Sequence, residues 1–246
     1  MKTISSSVKV AKLMESASVG EGIYQIPSLG FSNAYLVQES VEPGSYILVD
    51  TGTSSGHTKI LQYLEKTGRK PDSIKEIVLT HSDADHSGSA AALKKATGAK
   101  LAVHEKDAPR VSGQIKKIKE SSGFGNLLMS IFGAFMKVER VQPDVILKDG
   151  DKVGPLTVIY TPGHTDGSIC LYKEGQALFV GDTLRTDGSG AIKMPGNLMN
   201  KDSAELRRSV EIISKLDFAI MLPGHGKPIT ENASHKLKEF VSHGFR

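Results

Sequence analysis

Apolar and polar residues alternate along the chain in a way that predicts strands and helices in turn. Short apolar runs predict strands near 23–26, 34–38, 45–49, 76–80, 100–103, 156–160, 168–172, 177–180 and 219–222. Apolar residues at helical spacing predict helices near 56–67, 87–97, 203–215 and 231–242. Because helices come before and after the strand runs, the pattern favours a layered α/β sandwich. The order of the strands within each sheet does not follow from it.

Side chains that can bind metal are concentrated directly after the predicted strand at 76–80. His81, Asp83, Asp85 and His86 lie within six residues. Imidazole and carboxylate groups are ligands that suit zinc, iron or manganese. The alternative interpretation is a polar loop in which charged residues happen to be close in sequence.

Three later strands are each followed by one further potential ligand, beside a glycine that lets backbone come close. These residues are His164, Asp182 and His225. A single histidine or aspartate in such a place is more often a turn or cap residue. Four such strand ends in one chain instead indicate a metal site assembled from loops at one edge of a sheet.

These motifs resemble those of the metallo-β-lactamase superfamily, and the resemblance runs through most of the chain. The H-x-H-x-D-H motif of that family corresponds to residues 81–86, with Asp83 at the position usually held by the second histidine. Residues 33–52 resemble its first strands and acidic turn. A second departure is Asp166, because proline often follows G-H-T in the family. The later single ligands of the family correspond to His164, Asp182 and His225.

The resemblance implies a four-layer αββα sandwich, formed by a single domain over residues 1–246, with two divalent metal ions a few ångströms apart. Zinc is the expected metal, and iron and manganese are the alternatives. The first ion would be held by His81, Asp83 and His164, the second by Asp85, His86 and His225, and Asp182 would bridge them.

The three aspartates at this site change its expected charge. Asp83, Asp85 and Asp182 bring three negative charges against the four positive charges of two divalent ions. With histidine at position 83 there would be one negative charge fewer. This count favours a harder, oxygen-preferring metal at the first position, so iron or manganese would compete better with zinc than usual.

The activity that the resemblance implies is hydrolysis of an ester, thioester, lactone or amide of a small, partly apolar molecule. A hydroxide that bridges the metals would attack the carbonyl carbon. Asp85 would be both a ligand and the residue that orients or relays the proton of the nucleophile. Asp50, in the acidic turn, is predicted to orient a ligand imidazole. An aspartate that only begins a D-T-G turn explains Asp50 about as well.

Two other activities are consistent with the same motifs. The first is a phosphodiesterase or nuclease-like hydrolase, because H-x-D-x-D-H also looks like the variant found in nuclease-like members of the superfamily. The second is an iron-dependent redox enzyme, because carboxylate-rich sites occur in the flavodiiron branch. A non-catalytic binding protein is disfavoured, since all seven expected ligand positions carry competent side chains.

Residues 105–147 fit the alternation of strands and helices least well, and they are predicted to contain an insertion. It begins with a basic run and then becomes apolar and rich in glycine, methionine and phenylalanine. One interpretation is a lid over the metals, with Phe124, Met129, Phe132 and Met136 lining a substrate pocket. The alternatives are a helical pair packed on the core, a homodimer contact or a membrane-surface patch.

The composition of the 246-residue chain agrees with an intracellular enzyme. A single cysteine, Cys170, excludes an internal disulfide and fits a reducing compartment, so a cytoplasmic location is expected. The N-terminus lacks the apolar core of a signal peptide, and no apolar run approaches the roughly 20 residues that span a bilayer. The net charge of +4 is mild, and no nucleic-acid motif is present. The expected partner is therefore a small-molecule substrate.

Overall fold

The computed structural model describes residues 17–27, 29–39, 44–114 and 138–245. In these ranges the chain forms two large sheets and a short two-stranded ribbon. The first sheet has seven strands in sequence order: β1 (Ser18–Gly20), β2 (Ile23–Gln25), β3 (Tyr35–Gln38), β4 (Tyr46–Val49), β5 (Ile74–Val78), β6 (Lys100–His104) and β7 (Val145–Leu147). Strands β4 to β7 are parallel to one another, whereas β1 to β4 pair antiparallel.

The second sheet and the ribbon come from the remaining strands. These are β8 (Lys152–Val153), β9 (Leu156–Tyr160), β10 (Ile169–Lys173), β11 (Gly175–Gly181), the ribbon strands β12 (Arg185–Thr186) and β13 (Ile192–Lys193), and β14 (Phe218–Pro223). The second sheet has the order β14-β11-β10-β9-β8. Strand β14 is parallel to β11, while β10 is antiparallel to both β9 and β11.

Six α-helices accompany the sheets in the described ranges. They are α1 (Gly56–Lys66), α2 (Ala84–Ser87), α3 (Ala90–Thr97), α4 (Ala108–Val111), α5 (Ser203–Ile213) and α6 (Ala233–Ser242). Two short 3-10 helices lie at Pro71–Ser73 and Asn197–Met199. Helix α5 begins with a side-chain cap, because the carboxylate of Asp202 accepts hydrogen bonds from the backbone N–H groups of Ala204 and Glu205.

Alternation of side chains along the strands divides the core into three apolar layers. Leu48 of β4 packs with Ile60 of α1 and Leu93 of α3, whereas its neighbour Ile47 faces the other sheet and packs in one cluster with Phe179 of β11. The opposite face of the second sheet packs on α5 and α6. Successive strand residues point to opposite faces of a sheet, so two sheets with helices on both outer faces bury all three layers. The fold is therefore the four-layer αββα sandwich that the resemblance implied, and it confirms the layered α/β sandwich that the sequence pattern favoured.

The predicted strands and helices agree with these elements to within about two residues at their ends. The main difference is the predicted helix 87–97, which is two helices: α2 begins inside the metal-binding motif, and α3 begins at Ala90. Strands β1, β7 and β8 and the ribbon were not predicted. They have only two or three residues each, too few to show an alternating pattern.

The described ends of the predicted insertion at 105–147 pack on the sandwich. The backbone N–H of Glu105 donates to the carbonyl of Leu147 (3.0 Å), and β7 pairs with β6. Val111 lies in the core cluster under the helices, and Val141 packs against it. Residues 115–137 are outside the described ranges, so a lid or a homodimer contact there stays a prediction. In the described ranges no helix has the length and apolar character needed to cross a bilayer.

Candidate metal centre

All seven residues predicted to bind metal lie in loops or a short helix that follow strands β5, β9, β11 and β14. Strands β4 to β7 are parallel, and β9, β11 and β14 share one direction, so each set brings its carboxyl ends to one edge of its sheet. The two edges meet where the backbone N–H of Ile169 donates to the carbonyl of Thr80 (2.9 Å). The tertiary fold therefore brings together residues that are up to 144 positions apart, from His81 to His225.

The first group of three ligand atoms comes from His81, Asp83 and His164. The Oδ2 atom of Asp83 lies 3.2 Å from Nε2 of His164 and 3.9 Å from Nε2 of His81. All three atoms lie within 4.8 Å of one another, so these residues could hold one metal ion.

The second group comes from Asp85, His86 and His225, which also lie within 4.8 Å of one another. The Oδ2 atom of Asp85 is 3.2 Å from Nε2 of His225 and 3.8 Å from Nε2 of His86. The two Nε2 atoms are 3.3 Å apart. Two imidazole nitrogens this close cannot both carry a proton without repulsion, so the pair suits a shared cation.

Asp182 lies between the two groups. Its Oδ1 atom is 3.3 Å from Nε2 of His86, and its Oδ2 atom is 3.3 Å from Nε2 of His225 and 3.6 Å from Nε2 of His164. This approach requires glycine at position 224, because a Cβ atom there would lie 2.5 Å from Oδ1 of Asp182 and 2.6 Å from Cε1 of His86. The carboxylate is therefore in contact with residues of both groups.

Each of the four imidazoles has a partner at Nδ1, which leaves Nε2 facing the centre. The partners are the Phe31 carbonyl for His225 (2.7 Å), Oδ1 of Asn200 for His164 (3.2 Å), Oδ2 of Asp50 for His86 (2.8 Å) and Oγ1 of Thr80 for His81 (3.0 Å). With the proton on Nδ1 and donated to these oxygens, the lone pair of each Nε2 is available to a metal.

Asp50 orients two of these imidazoles. It is 2% exposed, and its Oδ2 atom accepts hydrogen bonds from Nδ1 of His86 and from the hydroxyl of Thr80, both at 2.8 Å. The Thr80 hydroxyl in turn contacts His81, and the backbone N–H of Thr80 donates to Oδ1 of Asp50 (2.8 Å). Asp50 also adopts a left-handed backbone conformation (φ +59°), as an aspartate beginning a turn can. These contacts are compatible with both sequence interpretations, and the role of Asp50 toward a metal ligand stays a prediction.

Three buried polar atoms at the centre have close neighbours but no partner in hydrogen-bond geometry among the described residues: Nε2 of His81, Nε2 of His164 and Oδ1 of Asp182. Buried polar atoms in folded proteins are nearly always paired, so a cluster without partners needs an explanation. Metal coordination would supply it, because the three atoms belong to the imidazole and carboxylate groups that zinc and iron accept. The residues present therefore fit a metal centre.

The carboxylates and histidines shift the pKa values of one another. Burial opposes charge on His225, but hydrogen bonds with Asp182 and Asp85 outweigh burial and raise its pKa to about 9. In the same way, burial is outweighed at His86 by Asp182 and Asp50, and the pKa of His86 lies well above its usual range. The pKa of Asp182 is held well below its usual range, because His86 and His225 outweigh its burial. The centre thus favours ionised carboxylates that have positive charge beside them.

Several residues that support the centre were not predicted from the sequence. Asp107 contacts the loops that carry His81 and His164, and Asn200 and the Phe31 carbonyl orient two imidazoles. A backbone carbonyl leaves no mark in the sequence. The Asp107 carboxylate follows β6 much as the other site aspartates follow their strands, and this position was the one signal that could have identified it.

The two departures from the family motif have different surroundings. Asp83 points its carboxylate at His164 and His81, as a ligand at that position would. Asp166 is instead paired with Lys201, whose Nζ lies 2.6 Å and 2.5 Å from its two oxygens. The hydroxyl of Tyr160 donates to the carbonyl of Asp166 (2.9 Å). This ion pair and hydrogen bond restrain the loop after His164 at the position where proline often stands in the family.

The predicted pocket residues Phe124, Met129, Phe132 and Met136 lie outside the described residues. Three other exposed apolar residues belong to segments that contact the centre. Phe31, whose carbonyl is bonded to His225, is 72% exposed, and Leu198 (fully exposed) and Met199 (47%) directly precede Asn200, whose side chain contacts His164.

The chain resembles known proteins over most of its length. Residues 27–225 match the metallo-beta-lactamase superfamily. Human acyl-coenzyme A thioesterase MBLAC2 is 28% identical over 232 residues, covering 85% of this chain and 79% of that protein. The probable metallo-hydrolase MJ0888 of Methanocaldococcus jannaschii is 28% identical over 225 residues, covering 89% of this chain and 100% of that protein. The crystal structure of TTHA1623 in a di-iron-bound form is 26% identical, with a TM-score of 0.63, and covers 85% of this chain and 92% of that one.

The sequence match includes all of the residues that converge at the centre, from Asp50 to His225. The αββα layers and the groups of histidine and aspartate side chains that could hold metal agree with it. The chain therefore belongs to the metallo-β-lactamase superfamily and is a metal-dependent hydrolase of that class.

Proposed function

We propose that this protein hydrolyses a carbonyl ester bond of a small, partly apolar molecule, and that a thioester of an apolar acyl group is its first candidate substrate. An ester, lactone or amide of similar character is the wider class. The observation that carries the proposal is that three exposed apolar residues belong to the two segments that contact His225 and His164 of the polar centre.

Two divalent ions are proposed to bind in this centre. The distances support His81, Asp83 and His164 for the first and Asp85, His86 and His225 for the second, with Asp182 between them. Zinc is the leading candidate. Iron is the principal alternative, because three carboxylates suit a harder metal and TTHA1623 has been crystallised in a di-iron-bound form. Manganese is a further alternative.

Bound in pairs, such ions supply a nucleophile from water near neutral pH and polarise a carbonyl oxygen. The residues of the chain then have separate tasks. Asp85 would orient the attacking water or relay its proton with the carboxylate oxygen that does not hold the metal, and its side chain is 25% exposed and thus reachable from solvent. Asp50 keeps the proton of His86 on Nδ1 and its lone pair on Nε2.

The exposed apolar side chains support a substrate with an apolar part. Phe31, Leu198 and Met199 are three of the five large apolar side chains that are most exposed among the described residues. The carbonyl of Phe31 accepts from Nδ1 of His225, and the other two residues directly precede Asn200, whose side chain contacts His164. An exposed apolar patch beside a polar centre is typical of a ligand-binding surface.

The human relative supports the thioester in particular. Its name states that it acts on acyl-coenzyme A, in which a thioester joins an acyl chain to a polar carrier. A thioester of this kind would match the arrangement described above, with its carbonyl at the metals and its chain along Phe31.

The decisive experiment compares substrates of the zinc-loaded protein. Turnover of short-chain and long-chain acyl thioesters of coenzyme A, a naphthyl ester and a homoserine lactone should exceed turnover of bis-p-nitrophenyl phosphate. Phe31→Ser should raise KM for the long-chain thioester about tenfold or more and leave the short-chain thioester nearly unchanged, since a Phe side chain contributes about 1.5–3 kcal/mol when buried. Ile146→Ser is the control, because Ile146 is another exposed apolar residue (50%) and lies on β7. Faster turnover of the phosphodiester than of every carbonyl substrate would refute the proposal.

A further inference from the structure

Within the described ranges, Asp107 is a fully buried carboxylate that is held by hydrogen bonds and not by an ion pair. It is 0% exposed, and in the described part of the chain no lysine, arginine or histidine forms an ion pair with it. Its Oδ2 atom accepts hydrogen bonds from the backbone N–H of Ser82 (2.7 Å) and the hydroxyl of Thr165 (2.9 Å). Its Oδ1 atom accepts one from the backbone N–H of Gly167 (3.0 Å). Three donors therefore stand in for a cation.

The three donors belong to the two loops that carry the first group of ligand atoms. Ser82 lies between His81 and Asp83, and Thr165 directly follows His164. The carboxylate thus contacts the immediate neighbours of all three residues in that group. Among the described residues, the Asp107 carboxylate has no hydrogen bond with a neighbour of His225 or with Asp182.

Glycine at position 167 and the turn after β6 allow this contact. A Cβ atom at position 167 would lie 2.6 Å from Cβ of Asp107, so glycine there lets the loop come close. Asp107 itself is held in the turn after β6, where its backbone N–H donates to the carbonyl of His104 (3.0 Å). Burial of a carboxylate without a cation is unfavourable unless hydrogen bonds replace its hydration, which is what the three donors do.

We propose that Asp107 is a positioning residue that fixes the first metal subsite, His81, Asp83 and His164, by joining its two loops. The proposal rests on the proposed function of the centre as a two-metal site. Asp50 has the corresponding role at the second subsite, because it bonds His86 directly. Asp50 reaches the first subsite only through the Thr80 hydroxyl, which contacts His81, whereas Asp107 bonds both loops of that subsite.

The Asp107→Asn variant tests this proposal. An asparagine keeps the shape of the side chain but offers one acceptor oxygen where the carboxylate has two. If that oxygen serves Ser82 and Thr165, the new NH₂ group faces the N–H of Gly167, donor against donor. The loops should then separate, and zinc should be bound about 10- to 100-fold more weakly at one subsite and unchanged at the other.

The measurement is titration of the metal-free protein with zinc in competition with a chromophoric chelator, which gives two dissociation constants per chain. Asp144→Asn is the control for the same chemical change away from the ligand loops, because Asp144 accepts a backbone hydrogen bond from Leu101 (2.8 Å) and is paired with Lys94 at the surface. Thr165→Val removes one of the three donors and leaves the carboxylate in place. It should produce a smaller loss at the same subsite, and it decides the question if Asp107→Asn does not fold.

The outcomes separate this proposal from the one on which it rests. Two zinc ions bound by the unaltered protein, with one subsite weakened in Asp107→Asn, support both proposals. Equal weakening of both subsites, or of neither, overturns the role of Asp107 and leaves the two-metal site intact. Fewer than two zinc ions bound by the unaltered protein overturns the two-metal site and this role with it.

Discussion

Replacement of Asp50 by asparagine should change which nitrogen of His86 carries its proton. In the protein, Oδ2 of Asp50 accepts from the Thr80 hydroxyl and from Nδ1 of His86, and Oδ1 accepts from the Thr80 backbone N–H. In Asp50→Asn the amide oxygen can keep the backbone bond, so the NH₂ group takes the place of Oδ2. The Thr80 hydroxyl can rotate to accept from it. His86 can accept a hydrogen bond from the new NH₂ group only by moving its proton from Nδ1 to Nε2, the atom that faces the centre.

The size of the effect follows from the two routes open to His86. If the proton stays on Nδ1, a buried donor is left unsatisfied, which costs about 1–3 kcal/mol. If it moves to Nε2, that nitrogen cannot bind metal without losing the proton again. Removal of a residue that orients a ligand typically weakens metal binding about 10- to 100-fold, or roughly 1.4–2.8 kcal/mol. The two figures agree, so we expect a loss in this range at the subsite that contains His86.

The assay is zinc binding in competition with a chelator, with Asp50→Asn compared with Asp151→Asn. Asp151 is an exposed turn residue whose Oδ2 atom accepts from the Lys148 backbone N–H (2.8 Å), so it controls for the same chemical change elsewhere. The left-handed backbone at position 50 is one that asparagine tolerates, so strain should contribute little. Zinc affinities in Asp50→Asn equal to those of the control at both subsites would refute the tautomer argument.

Three further predictions concern stability and reactivity. The pKa of His225 is raised to about 9 from its usual value near 6.5, so protonated His225 should stabilise the metal-free protein fully below pH 6.5 and progressively less up to pH 9, while zinc affinity rises over the same interval. Melting temperatures of the chelator-treated protein and of His225→Gln, measured against pH, test this. Equal pH slopes for the two proteins would contradict it. Gly163→Ala should lower the free energy of unfolding by about 2 kcal/mol or more, because φ is +127° and a Cβ atom would lie 2.3 Å from the Leu206 nitrogen. In the control Gly188→Ala the added Cβ meets nothing within 4 Å, so the free energy of unfolding should change by less than about 0.5 kcal/mol. Similar denaturant midpoints for the two variants would show that the contact at position 163 is relieved. Cys170 is buried and its pKa is raised to about 11 by burial, so it should react with a thiol reagent at pH 8 only as fast as the protein unfolds, and immediate modification of folded protein would be inconsistent with this burial.

Local patterns in the sequence predicted the elements that bury apolar side chains over four or more residues. The apolar run of β4 and the helical spacing of Ile60 and Leu64 in α1 are properties of neighbouring residues, and burial in the structure follows them. The short strands at the sheet edges were missed because two or three residues carry no period. The break between α2 and α3 was missed because the motif at 81–86 was assigned to a loop.

The ligand types could be predicted because each stands directly after a strand, and a parallel arrangement brings the ends of strands together. The sequence by itself therefore determined the kind of centre and the seven residues proposed to form it. The tertiary structure decided what holds them in place. Asp107, Asn200 and the Phe31 carbonyl act across 25 to 194 positions of the chain, and the fold alone sets those contacts. The physical reason is that a ligand is recognised by its own chemistry, whereas an orienting partner is defined by distance and direction in space.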